Sequence, residues 1–201
     1  MATHPTAPPA DEVVVVCIPT TPDREKSLAE CVELLARNAG HPHVVATCRN
    51  DREGFVAPMH RILSTLRPDT LIWSLGDDMR VTEPGTLARL VREFHARFPD
   101  RDGVVNPNDG IQNGRVTTLP LCTARVMADN TPREFFHNFA DDVMTERLSR
   151  AGKYAYLPDV RVVHAHWTAG LAPMDETYRV AQARFDQDRA AYERMRAQGR
   201  V

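Results

Sequence analysis

Lysine is almost missing from this chain. Lys26 and Lys153 are the only lysines among 25 basic residues, which leaves 23 arginines (25 minus 2). Arginine is the better fork for phosphate, although a GC-rich genome is the simpler source of such a bias. Cysteine is also scarce. Cys17, Cys31, Cys48 and Cys122 are widely spaced, with no C-x-x-C pair, which argues against a disulfide framework or a thiolate zinc site and for reduced, mostly buried thiols in a cytoplasmic protein. No apolar run approaches the ~20 residues needed to cross a bilayer. Residues 1–12 are rich in Pro, Ala and Thr without an apolar core, so they read as a disordered lead-in rather than a secretory signal. G-x-G-x-x-G and G-x-x-x-x-G-K-[ST] are both missing, which weakens dinucleotide and P-loop readings. There is no fixed-period repeat. The net charge of −2 does not demand a nucleic-acid partner.

What is present is a chain of 201 residues, enough for one domain with a sizeable core. Val13–Ile18 is a β-branched run closed by Pro19-Thr-Thr-Pro22, a buried strand and a turn. Helical spacing follows over 23–38, a second strand over 43–48, and a helix over 55–66 with Pro58 in its first turn. Leu71–Leu75 is a third strand, 84–98 an amphipathic helix, and 103–106 a short strand. Residues 116–126 read as one or two strands interrupted by Pro120, and 134–151 as largely helical. Residues 153–157 and 160–166 read as extended segments flanking Pro158-Asp159. A last helix over 175–196 carries Tyr178, Ala181, Phe185, Tyr192 and Met195 as a stripe that reads as packing. The alternation of strand and helix predicts an α/β domain with a mainly parallel N-terminal sheet flanked by helices. The expected layout is one domain over 13–170 and a C-terminal helical extension over 171–201.

The most informative stretch is Leu71-Ile-Trp-Ser-Leu-Gly-Asp-Asp-Met79. A buried strand ends in two adjacent carboxylates, Asp77 and Asp78, at the strand end where open α/β sheets bind ligands. Adjacent like charges are costly unless a cation or solvent offsets them, and oxygen ligands suit Mg²⁺ or Mn²⁺ bridging a diphosphate. A solvated acidic turn explains these nine residues equally well. Four further motifs sit at strand ends or helix starts. In Pro19-Thr-Thr-Pro-Asp-Arg24, Thr20, Thr21 and Arg24 offer hydroxyls and a guanidinium to a nucleotide, or a simple helix cap. Asn50-Asp51-Arg52 offers a contact to a nucleoside, or a polar turn. Asn138-Phe-Ala-Asp-Asp142 opens a helix, where a carboxylate is stabilised by the dipole or serves as a general base. In Val162-Val-His-Ala-His-Trp167, His164 and His166 alternate on one strand face as metal-ligand candidates, or as one buried and one solvated histidine.

Taken in order, these motifs resemble the nucleotide-sugar-dependent glycosyltransferases of the GT-A fold. The likeness is nearest to compact, inverting, family-2-like bacteriophage enzymes, and covers roughly Val13 to Trp167. The resemblance implies that Asp78 is the principal metal ligand, with His164 or His166 completing the shell, and that Asp77 lies nearer the donor's ribose. The family's late acidic motif places the base on Asp141, six residues before Arg147. Ala140 stands where the first acid is usual, which leaves Asp142 as the alternative. Thr20, Thr21, Arg24 and Asp51 match positions that hold the nucleotide. The implied cofactor is Mn²⁺ or Mg²⁺ and the expected donor a UDP-sugar. Asn108, Asp109 and Trp167 are placed at the acceptor by their location in the chain. The resemblance extends to phage transferases that decorate 5-hydroxymethylpyrimidines in DNA alongside base-oxidising, TET-type enzymes, which makes DNA the leading named acceptor. Arg115, Arg125 and the tail from Arg194 to Arg200 would then meet phosphates. A polysaccharide, glycan or protein acceptor is the alternative. Two other functions fit the acid pair: metal-dependent nucleotidyl or phosphoryl transfer, and a non-catalytic nucleotide-sugar-binding module. The expected location is cytoplasmic, in the host if phage-encoded.

Overall fold

The computed structural model describes residues 12–50 and 52–201. The N-terminal lead-in up to residue 11 and Asp51 lie outside the described residues. Glu12, the first residue described, is held by Arg101 Nη1 (2.6 Å) and His95 Nε2 (2.6 Å).

Eight strands and seven α-helices are present among the described residues. The strands are β1 (Val14–Thr20), β2 (His43–Arg49), β3 (Leu71–Ser74), β4 (Met79–Arg80), β5 (Val104–Asn108), β6 (Leu121–Thr123), β7 (Tyr154–Arg161) and β8 (Val163–His164). The helices are α1 (Glu25–Asn38), α2 (Val56–Leu63), α3 (Thr86–Arg97), α4 (Ala124–Asn130), α5 (Ala140–Arg150), α6 (Glu176–Ala183) and α7 (Phe185–Ala197). Six strands form one sheet in the order β2-β1-β3-β6-β5-β7, and β4 and β8 form a separate ribbon. Within the six-stranded sheet β1 runs parallel to β2 and β3, β7 runs parallel to β5, and only β6 is antiparallel to its neighbours. The fold is therefore mixed α/β with a mostly parallel central sheet flanked by helices.

The strand residues explain the layering. Val16, Ile18, Leu71 and Trp73 point to one face and join Leu35 of α1 and Leu87, Leu90 and Phe94 of α3. Cys17, Ile72 and Cys122 point to the other, against Met59 and Ile62 of α2, Met127 of α4 and Met144 of α5. Strand alternation makes this division, and burial on both faces explains why β1 and β3 read as continuous apolar runs. Each fully buried aliphatic side chain contributes about 1.5–3 kcal/mol. Trp73, wholly buried, satisfies its indole by donating Nε1–H to the Leu119 carbonyl (3.1 Å). A third cluster of Val56, Phe135, Ala140, Val143, Ala191 and Met195 binds α5 to α7. The residues expected to form a C-terminal extension thus share a core with the domain.

Several elements differ from the sequence expectation. Residues 116–126 hold one short strand, and the chain then turns into α4, where Thr123 Oγ1 caps by accepting from Val126 N–H (3.3 Å). The helix expected from 134 starts only at Ala140. Before it, the buried Asp188 carboxylate accepts the backbone N–H groups of Phe136, His137 and Asn138 at 2.8–2.9 Å, and Phe139 adopts a left-handed conformation (φ 65°). Those amides are taken by a side chain, so they cannot build a helical turn. The single last helix is two, separated at Arg184. Pro158-Asp159 lies inside β7 rather than between strands. β7 is an edge strand, where a missing N–H costs no ladder bond.

Candidate active site

The site is built on the turn that ends β3. Met79 N–H donates to Gly76 O (3.2 Å), closing a tight turn around Asp77 and Asp78. A Cβ at Gly76 would lie 2.5 Å from Asp78 Oδ1, so only glycine leaves that carboxylate its place. The two acids then diverge. Asp77 turns toward the end of β1, accepting from Thr20 Oγ1 (2.7 Å) and Arg24 Nη1 (2.8 Å). Asp78 Oδ2 accepts from Tyr178 OH (2.7 Å) and more weakly from Arg24 Nη1 (3.3 Å), and faces His164 Nε2 at 3.5 Å.

The β4–β8 ribbon brings the histidine there. Its register sets Met79 opposite His164, and Ala165 N–H donates to Asp78 O (2.9 Å). The two motifs are thus locked together by backbone bonds rather than by side chains alone. Arg24 anchors the other side. Its buried guanidinium meets Asp77, Asp78 and Asp175, the last at 2.9 Å, and lies 4.1 Å over the Tyr178 ring. A buried charge needs such pairing to be tolerated. Thr21 Oγ1 is 2.9 Å from Thr177 Oγ1, so the start of α6 is stitched to both β1 and β3.

Burial and partners set the charge states. Burial raises the Asp77 pKa despite Arg24. Burial also opposes the charge on Asp78, but His164, Arg24 and Tyr178 outweigh it and hold this carboxylate well below the usual range. Burial likewise opposes a charge on His164, and Asp109 and Asp78 overcome it, raising its pKa to about 9. His166 is driven down to about 4 by burial and by the charge on His164.

A cleft of about 520 Å³ opens on this cluster. Asp78, His164, His166 and Trp167 line one wall, and Asp141 and Asp142, from the first turn of α5, line another. Burial, reinforced by the charge of Asp142, pushes the Asp141 pKa up to about 7, against the pull of the helix dipole. Burial raises Asp142 as well. A carboxyl poised near neutrality inside a cleft has the properties a general base needs.

Not every expected residue lines the cleft. Thr20, Thr21, Arg24 and Asp77 lie behind the Asp78 wall, joined to one another and to α6 as described. Asn108 and Asp109 do not line it either. Asn108 Oδ1 accepts from Gly110 N–H (2.8 Å) and shapes its own loop, and Asp109 is buried behind His164. His164 and His166 come within 4.8 Å, centroid to centroid. They do so across the end of β8 rather than along one strand, because His166 leaves the strand to cap a single turn of 3₁₀ helix (Trp167–Ala169). Its Nδ1 lies 2.7 Å from Thr168 Oγ1 and 3.3 Å from Thr168 N, so this nitrogen is engaged within its own turn.

Sequence reasoning missed three contributors. Tyr178 belonged to an apparent packing stripe, and its signal was the phenol, a polar tip that seeks a partner when buried. His137 lines the cleft with its pKa lowered by burial. Asp188 fixes the loop that carries His137 and Asn138; nothing local marks it.

Among the described residues no group of three or more His, Cys, Asp or Glu side chains is placed to hold a metal ion, but Asp78 and His164 could supply two ligands once Nε2 of His164 gives up its proton. Asp78 Oδ2 and His164 Nε2 are separated by 3.5 Å, compatible with neighbouring positions around an ion held at about 2.0–2.2 Å. Two protein ligands suffice where substrate phosphates and water supply the rest. Arg24 is the competing cation for the same carboxylates.

No protein-family profile matches the sequence, and neither does any curated protein. Among solved structures, the glycosyltransferase GlyE of Streptococcus pneumoniae TIGR4 superposes with a TM-score of 0.48 at 12% identity, over 72% of this chain and 45% of GlyE. The chain therefore spans less than half the length of that enzyme. A Bacillus anthracis protein described as a glucose-1-phosphate thymidylyltransferase, solved with sucrose, superposes with a TM-score of 0.43 at 9% identity, over 83% of this chain and 99% of that protein. At these values neither likeness assigns residues or activity. Among the described residues, no helix is long and apolar enough to cross a membrane.

Proposed function

We propose that this chain is a metal-dependent, inverting GT-A-type glycosyltransferase that moves a sugar from a nucleotide sugar to an acceptor hydroxyl. One observation carries the reading: the acid–histidine pair Asp78 and His164 and the raised carboxyl of Asp141 line a single cleft. Asp78 and His164 would hold the divalent cation, Mn²⁺ or Mg²⁺. When bound, that ion neutralises charge on the departing diphosphate. Asp77, fixed by Thr20 and Arg24 behind the Asp78 wall, braces the turn on the side assigned to the nucleotide. Asp141 takes the proton of the acceptor hydroxyl as the oxygen attacks the anomeric carbon opposite the leaving group. The carbon–oxygen bond to the acceptor forms as the bond to the diphosphate breaks, so one displacement inverts the centre and no enzyme nucleophile is used.

The proposed donor is a UDP-sugar and the proposed acceptor a 5-hydroxymethylpyrimidine in DNA. Trp167 at the cleft supports a planar acceptor, since aromatic faces stack bases; Phe139 and Phe185 pack on each other instead. Arg125, Arg196 and Arg200 already pair with surface carboxylates, but such exposed pairs are worth little and exchange readily for phosphates.

The deciding experiment is thermal denaturation with a panel of nucleotide sugars and Mn²⁺. A rise in Tm that EDTA removes is expected. No shift with any donor and metal overturns the reading. Turnover of a nucleoside triphosphate with a sugar 1-phosphate would reassign the chain to nucleotidyl transfer, and donor binding without transfer to a binding module. Mass spectrometry of nucleosides from hydroxymethylated DNA, incubated with enzyme and donor, then decides the acceptor.

A further inference from the structure

Asp109 is 2% exposed, in the loop after β5. Its Oδ1 accepts two backbone N–H groups, from Ile111 (3.1 Å) and Gln112 (2.7 Å), which fixes the plane of the carboxylate. Its Oδ2 points at His164 Nδ1, 3.7 Å away. Both of these atoms are buried, and neither has a hydrogen-bond partner among the described residues. A buried polar atom without a partner costs about 1–3 kcal/mol, so two of them facing each other are each other's natural partner. A ring movement of about 1 Å brings them to hydrogen-bond distance. On its other side the same ring presents Nε2 to Asp78 Oδ2 at 3.5 Å.

We propose that Asp109 is a positioning residue that accepts the Nδ1–H of His164, so that Nε2, on the Asp78 side, is the nitrogen that gives up its proton and becomes free to take a metal. The consequence for metal binding rests on the function proposed above; the pairing itself does not. Ligating histidines commonly donate their second N–H to a carboxylate, which fixes the tautomer and strengthens the ligand. Here the carboxylate is itself held by two amides, so it cannot turn away.

Asp109→Asn tests this without changing shape. The amide oxygen must keep the Ile111 and Gln112 N–H bonds, which turns the amide NH₂ toward His164. Nδ1 then becomes an acceptor, and the proton moves to Nε2. Long-range ¹H–¹⁵N spectra at pH 10, with the ring neutral, should show Nδ1–H in the wild-type protein and Nε2–H in D109N. Titration with Mn²⁺ alone, followed by water proton relaxation, should show affinity lower by about 10–100-fold in D109N. In H164A, D109N should add no further loss. Nε2–H in the wild type, or an unchanged tautomer in D109N, overturns the proposal, and the wild-type spectrum decides it even if the variant does not fold. If the wild type takes up no Mn²⁺ but its tautomer is as expected, Asp109 keeps its role and the metal reading falls.

Discussion

Tyr178 donates its phenolic hydrogen to Asp78 Oδ2 across 2.7 Å, joining two residues that lie 100 positions apart. The bond makes the first turn of α6 a wall of the site rather than an appendage. Thr177 and Asp175 repeat the attachment at Thr21 and Arg24. Three contacts from one helix start thus hold the Asp77–Asp78 turn and the end of β1 together.

Tyr178→Phe should therefore destabilise the fold by about 1–3 kcal/mol, since it strips a donor from a buried carboxylate. The urea midpoint measures this. An unchanged midpoint would mean that water replaces the phenol and that the Thr21–Thr177 and Arg24–Asp175 contacts suffice to hold the helix.

Asp78→Asn should abolish the metal-dependent Tm rise with a nucleotide sugar, whereas Asp77→Asn should weaken donor binding and retain Mn²⁺ uptake. The two acids face different partners, so equal losses in both variants would contradict the division of roles.

Asp141 carries the pH dependence. A base with a pKa of about 7 acts only when ionised, so transfer should rise with pH through 7. Asp141→Asn should bind donor normally and lose about 10²–10⁴-fold in rate. Stability should move the other way. The folded-state pKa lies above the unfolded value of about 3.9, so between pH 4 and 7 the native state holds the extra proton. The contribution is complete below pH 4 and is lost as pH rises through 7. Melting temperatures from pH 4 to 9 should show wild type losing ground to Asp141→Asn; parallel curves would place the raised carboxyl elsewhere.

Asp188→Ala should leave the amides of Phe136, His137 and Asn138 without their acceptor. The three residues are half-buried, so water can meet part of the loss, and a destabilisation of about 1–3 kcal/mol in all is expected in chemical denaturation. Hydrogen exchange should report faster exchange at these three amides. Protection unchanged from wild type would show that another group holds the loop.

Much of the framework was legible from local patterns. The β-branched run of β1 and the apolar run of β3 identified the buried centre of the sheet, because strands covered on both faces have no polar alternation to hide them. Thr20, Arg24, Asp77, Asp78, His164 and His166 were all named from their motifs, and they do converge. The elements misread were those whose conformation is set from a distance. The chain before α5 avoids helix because Asp188, some fifty residues away, takes its amides.

The sequence by itself determined the α/β order, the acid pair at a strand end, and the histidines near a second such end. These follow from short-range rules, since strand alternation and turn chemistry depend on neighbouring residues. Tertiary structure alone decided which of these groups meet. It set Asp78 against His164 through the β4–β8 register, turned His166 into a cap, buried Asp109 behind His164 and brought Tyr178 onto the acid pair. Each depends on where distant backbones cross, and burial there fixes the charge each group can carry.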